Sequence, residues 1–152
     1  MAATSLESLT KSVRVDGDVA RTFRLFTAEI GQWWPLATHS VGEDPAGSID
    51  LGCRLGGELV ETLPDGTTSV WGTVTAWEPP ARVAFTWHPG RSPDEATLVE
   101  VSFTEDDGGT RVTLVHSGWS SRADGVGARR AYESGWVVVL DHLRAASARQ
   151  VG

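Results

Sequence analysis

Between Gly47 and His116 the sequence patterning is extended throughout, and a helical segment stands on either side of that run. Apolar residues recur there with a period of two, the signature of strands with one buried face. Leu59 to Leu63, Val70 to Trp77, Arg82 to His88, Thr97 to Thr104 and Thr110 to His116 each read as a strand. Pro64-Asp65-Gly66-Thr67 is a tight turn that makes the first two a hairpin, and Asp106-Asp107-Gly108-Gly109 is another. Pro79-Pro80 interrupts the pattern, and Pro89 to Glu95 is a loop. On the N-terminal side, Lys11 to Asp16 alternates weakly as a first strand. Asp16 or Asp18 then caps a helix whose apolar face is Val19, Phe23, Phe26 and Ile30. Gly31 ends it, and Gln32-Trp33-Trp34-Pro35 reads as a second short helical turn. On the C-terminal side a long helix, Gly127 to Arg149, carries Tyr132, Trp136, Val139, Leu140 and Leu143 on one stripe. A strand run unbroken by helices excludes a βαβ repeat. An α+β fold follows, with a curved antiparallel sheet wrapped around the long C-terminal helix so that both apolar faces are buried.

A chain of 152 residues suits one domain, here residues 10–150, with residues 1–9 expected to be flexible. The net charge of -7 argues against nucleic acid, which needs a basic stripe, and against anionic membrane surfaces. No apolar run approaches the ~20 residues needed to span a bilayer, so no membrane insertion is expected. Met1 to Thr10 lacks the basic start and apolar centre of a secretory signal. Cys53 is the only cysteine and allows no internal disulfide, so a cytoplasmic setting is expected. The four histidines and the cysteine show no ligand spacing, so no metal is expected, and no nucleotide motif calls for a cofactor.

Seven tryptophans are a heavy load for this length. They fill core volume, and they also suit a pocket for a flat or greasy ligand. The ordered set of local motifs adds to this. Val19-Ala20-Arg21-Thr22-Phe23 with Phe26, the pair Trp33-Trp34, and Gly56-Gly57 before Glu61 come first. Trp71-Gly72-Thr73-Val74, Trp77-Glu78-Pro79-Pro80 and Phe85-Thr86-Trp87 follow, then Gly109-Thr110-Arg111-Val112, His116-Ser117-Gly118-Trp119 and Tyr132 with Gly135-Trp136. This combination, over roughly residues 11–146, resembles the SRPBCC (START and Bet v 1-like) superfamily and, within it, bacterial homologues of the heat-shock-protein ATPase activator. The resemblance implies a helix-grip fold with two short helices after the first strand and an internal cavity. It implies binding of a small hydrophobic or aromatic molecule there. A cofactor-free enzyme of polyketide cyclase or dehydratase type and a co-chaperone-like interaction module are the alternatives, and a homodimer is possible.

Two polar residues stand out. Val112, Leu114 and His116 share one strand face, so His116 points inward if the other two do. It is then either a histidine satisfied by its neighbours or a pocket base. Glu61 alternates with Leu59 and Leu63, which places it on the concave face, and the resemblance favours that phase over Glu58 with Val60. It is either a structural carboxylate or the acid–base partner of His116. The expected ligand-binding walls are Trp33, Trp34, Trp71, Phe85, Trp87, Trp119, Tyr132 and Trp136. His88 falls opposite Trp87 and is expected to face solvent, while His39 sits in a loop and His142 on the last helix.

Overall fold

The computed structural model of the chain describes residues 6–151. Its strands are β1 (Leu9–Val15), β2 (Ser48–Leu51), β3 (Glu58–Thr62), β4 (Thr68–Glu78), β5 (Arg82–Trp87), β6 (Thr97–Asp106) and β7 (Gly109–Ser117). They form one antiparallel sheet in the order β1-β7-β6-β5-β4-β3-β2. Two helices complete the fold, α1 (Val19–Phe26) and α2 (Gly125–Val151). The expected helix-grip architecture is therefore present.

The strand faces explain why α2 lies where it does. Leu59, Val83, Phe85, Trp87, Val99, Val101, Phe103, Val112 and Leu114 alternate into one core with Trp136, Val139, Leu140 and Leu143 of α2. The sheet thus buries its concave face on the helix stripe, a few kcal/mol for each large side chain removed from water. The far end of α2 is fixed by polar contacts as well. Gly17 N–H donates to Ser147 Oγ at 3.0 Å, and Thr110 Oγ1 donates to the Gly17 carbonyl at 2.8 Å.

Helix α1 starts where Asp18 accepts from Arg21 N–H, one of the two capping positions expected. It stops earlier than its apolar spacing predicts. Thr27 Oγ1 donates to the Phe23 carbonyl and ends the regular helix, so Ile30 begins a separate 3-10 turn, Ile30–Gln32. That turn takes the place of the one expected at residues 32–35. β2 falls in the extended region after Gly47, but at four residues it is too short for alternation to define it. At the other end, β1 begins at buried Leu9 rather than Lys11. Residues 1–5 of the segment expected to be flexible lie outside the described residues.

One close approach needs a glycine. A Cβ on Gly72 would fall 1.6 Å from the Thr86 carbonyl oxygen, so only glycine lets β4 and β5 meet there. Beside it, His88 N–H donates to the Trp71 carbonyl at 2.6 Å. His88 is buried rather than solvent-facing, which corrects the expectation. Regular β5 ends at Trp87, the alternation stops with it, and the turn to Arg91 folds back so that His88 Nδ1 lies 3.0 Å from the Arg91 carbonyl.

Candidate functional site

Strand pairing decides which candidates can meet. His116 on β7 stands beside Leu9 and Val99, while Glu61 on β3 stands beside Ile49 and Ser69. Four strand spacings separate β7 from β3, on the order of 19 Å along the sheet. Both residues are buried, as strand parity predicts, but each has its own partners and they share no hydrogen bond.

His116 lies at the centre of a closed aromatic cluster. Its ring is 4.0 Å from that of Trp119, centroid to centroid, with Tyr132 at 5.0 Å and Trp136 at 5.9 Å. Trp136 Nε1 donates to His116 Nδ1 at 3.0 Å. An indole nitrogen only donates, so Nδ1 must offer a lone pair and the proton sits on Nε2. Nε2 then donates to Thr97 Oγ1 at 2.6 Å, and Thr97 passes its own hydrogen to the Trp87 carbonyl at 3.2 Å. Every proton in this chain has one direction. Burial, together with the nearby Arg122 cation, pushes the His116 pKa down to about 3. The imidazole is neutral at pH 7 with its only lone pair engaged.

Glu61 works differently. Its Oε1 accepts from Val41 N–H at 2.8 Å and from Trp71 Nε1 at 3.2 Å, and its Oε2 accepts from Gly42 N–H at 3.0 Å. The buried carboxylate therefore ties the segment after Trp34 to the sheet and sets the orientation of the Trp71 ring.

What that segment encloses, together with α2 and the Pro89–Gly90 turn, is a cleft of about 530 Å³. Its walls include Trp34, Trp71, Trp87, Tyr132 and Trp136, five of the eight expected ligand-binding residues. It also reaches exposed Thr38, Val41, Gly90 and Val138, so the expected internal cavity is a cleft open at its rim. The other three expected residues lie behind it. Trp33 packs on Phe26 and donates to the Leu25 carbonyl, Phe85 packs beside Trp87 in the core, and Trp119 packs against His116 with its ring tilted 35°. His116 and Glu61 do not line the cleft either; they hold the residues that do.

The four wall tryptophans have no indole N–H to spare. Trp34 donates to the His39 carbonyl, Trp71 to Glu61, Trp87 to Tyr132 Oη at 2.9 Å, and Trp136 to His116. Among the described residues no Lys, Arg, Asp or Glu lines the cleft. His39 does line it, and no periodicity could have shown this, because the residue sits in an irregular segment. Its Nδ1 lies 2.7 Å from Thr38 Oγ1. Burial first, then the positive charge of His142, lower its pKa, while Glu43 opposes them.

The architecture is that of a helix-grip α+β protein with an aromatic cleft between sheet and helix. A family model described as "Activator of Hsp90 ATPase homolog 1-like protein" matches residues 16–148, and the chain belongs to that family. No curated protein matches it. Among solved structures, it is similar to an anthrahydroquino-γ-pyrone synthase, at 32% identity over 84% of this chain and 86% of that one, with a TM-score of 0.60. A Mesorhizobium loti protein gives a TM-score of 0.68 at 17% identity, covering 94% of this chain and 98% of that one. The Aha1 dimer from Colwellia psychrerythraea gives 0.66 at 18%, covering 93% and 96%. The last two show the fold alone.

Proposed function

We propose that the protein binds a flat, uncharged, largely apolar aromatic molecule in the cleft between α2 and the sheet. One observation carries this reading: about 530 Å³ of space is walled by four tryptophans whose N–H groups are all engaged, and no Lys, Arg, Asp or Glu among the described residues lines it. Such walls offer ring faces rather than donors, which favours stacking and burial of apolar area. The volume lies within the ordinary range for small-molecule sites. Titration with flat hydrophobic probes should quench tryptophan emission saturably. Emission unchanged across a broad panel would refute the reading.

The second reading is a cofactor-free cyclase-type enzyme acting on such a molecule, and the 32% identity to the pyrone synthase favours it. His116 and Glu61 enter both readings as positioning residues, since one orients Trp136 and the other Trp71 and Val41. The co-chaperone reading rests on the description of the family, and a homodimer on the Colwellia neighbour, which is solved as a dimer. Native mass spectrometry of freshly purified protein tests these together. A co-purified aromatic molecule supports the cleft readings, and the subunit count at a monomer mass of 16.3 kDa reports the dimer.

A further inference from the structure

The polar atoms of the cleft can be accounted for one by one. The four indole N–H groups are taken. Ser40 Oγ donates to the Leu36 carbonyl at 2.6 Å and accepts from Glu43 N–H at 2.8 Å. Ser134 Oγ donates to the Ala131 carbonyl at 3.3 Å. Thr38 Oγ1 lies 2.7 Å from His39 Nδ1; in the tautomer whose ring proton sits on Nδ1, that N–H donates to Thr38 and Nε2 keeps the lone pair. That tautomer leaves the Thr38 O–H as a donor at the exposed rim, and two further side-chain groups remain. Tyr132 Oη accepts from Trp87, but its own proton has no acceptor among the described residues. Accepting one hydrogen bond makes that O–H a better donor. His39 Nε2 has no hydrogen-bond partner among the described residues, and it lies over Gly135, 4.0 Å from where a Cβ there would be. Gly135 follows Tyr132 by three residues, so the helix positions beside the two groups lie about one turn of α2 apart, a rise of ~4.5 Å.

Resting on the aromatic-cleft reading, we propose that Tyr132 and His39 form its polar recognition pair, and that the ligand is a polycyclic aromatic carrying a carbonyl and a separate phenolic hydroxyl. The carbonyl accepts from Tyr132 O–H, and the hydroxyl donates to His39 Nε2. The lowered pKa of His39 keeps its ring neutral near pH 7, and the tautomer whose Nδ1–H donates to Thr38 Oγ1 leaves Nε2 as the acceptor. Among the described residues no Lys or Arg lines the cleft, which favours an uncharged ligand over a carboxylate, sulfate or phosphate.

The test compares three probes of one shape by tryptophan quenching: anthracene, anthraquinone and 2-hydroxyanthraquinone. In the wild-type protein affinity should rise at each step by roughly fivefold, the worth of one hydrogen bond in a partly desolvated site. Tyr132→Phe should erase the step from anthracene to anthraquinone. His39→Ala should erase the step from anthraquinone to the hydroxy compound and leave the first intact. Anthracene binding with no preference among the three would overturn the recognition pair while leaving the cleft reading in place. No binding of any probe would overturn both. The wild-type series decides even if a variant fails to fold.

Discussion

Two histidines of this chain share α2 as a neighbour and differ in almost everything else. His116 is sealed, its lone pair and its proton each committed to one partner inside a ring of Trp119, Tyr132 and Trp136. His39 stands on an irregular segment at the rim of the cleft, with one ring nitrogen unengaged. A buried histidine in an aromatic cluster invites a catalytic assignment, but closed hydrogen bonds make it a strut. The half-buried one has the capacity to meet a ligand. Burial alone does not mark a functional residue; an uncommitted lone pair beside a void is the stronger sign.

The two histidines separate most widely in acid. The folded pKa of His116 lies below its unfolded value of ~6.5, so the unfolded chain binds the extra proton. Its contribution is complete above pH ~6.5 and is lost as pH falls toward about 3. The full window corresponds to on the order of 4–5 kcal/mol. Denaturation midpoints measured across it should fall steeply in the wild-type protein and far less in His116→Phe. Equal slopes in the two proteins would show that His116 is not the sealed group described.

A truncation pair sharpens the contrast. His116→Ala strands Trp136 N–H and opens a void, and should cost about 3–5 kcal/mol by chemical denaturation. His39→Ala should cost under about 1 kcal/mol, because its ring makes few buried contacts. Similar losses in both would erase the distinction.

A smaller effect belongs to Glu61. Glu61→Gln keeps the size but turns an amide NH₂ toward one of three N–H donors, and should cost about 1–3 kcal/mol. Probe affinity should fall with it, because Val41 and Trp71 of the cleft wall lose their tether. Unchanged affinity in a destabilised protein would separate Glu61 from the cleft.

The sequence made the regular parts legible and left the irregular ones dark. Period two placed Glu61 and His116 inside, and the three-and-four stripe placed Trp136 and Leu143 against the sheet. Parity says which face a residue takes, but not how far apart two inward residues lie, so the pairing of His116 with Glu61 needed the strand order to resolve. His88 departs from its expected exposure because alternation holds only while the ladder continues. His39 is not legible as a cleft residue, since nothing in residues 33–47 repeats and its position is set by Trp34 Nε1 donating to its carbonyl and by Glu61 holding the backbone two residues on.

The central claim, a ligand seated on four particular indoles, can be read from a ¹⁵N-correlated NMR spectrum, in which each of the seven tryptophans gives one indole N–H signal. Saturating 2-hydroxyanthraquinone should move the signals of Trp34, Trp71, Trp87 and Trp136 by ring-current effects and leave those of Trp33, Trp77 and Trp119 nearly in place. Shifts confined to the second group, or none at all, would contradict the account.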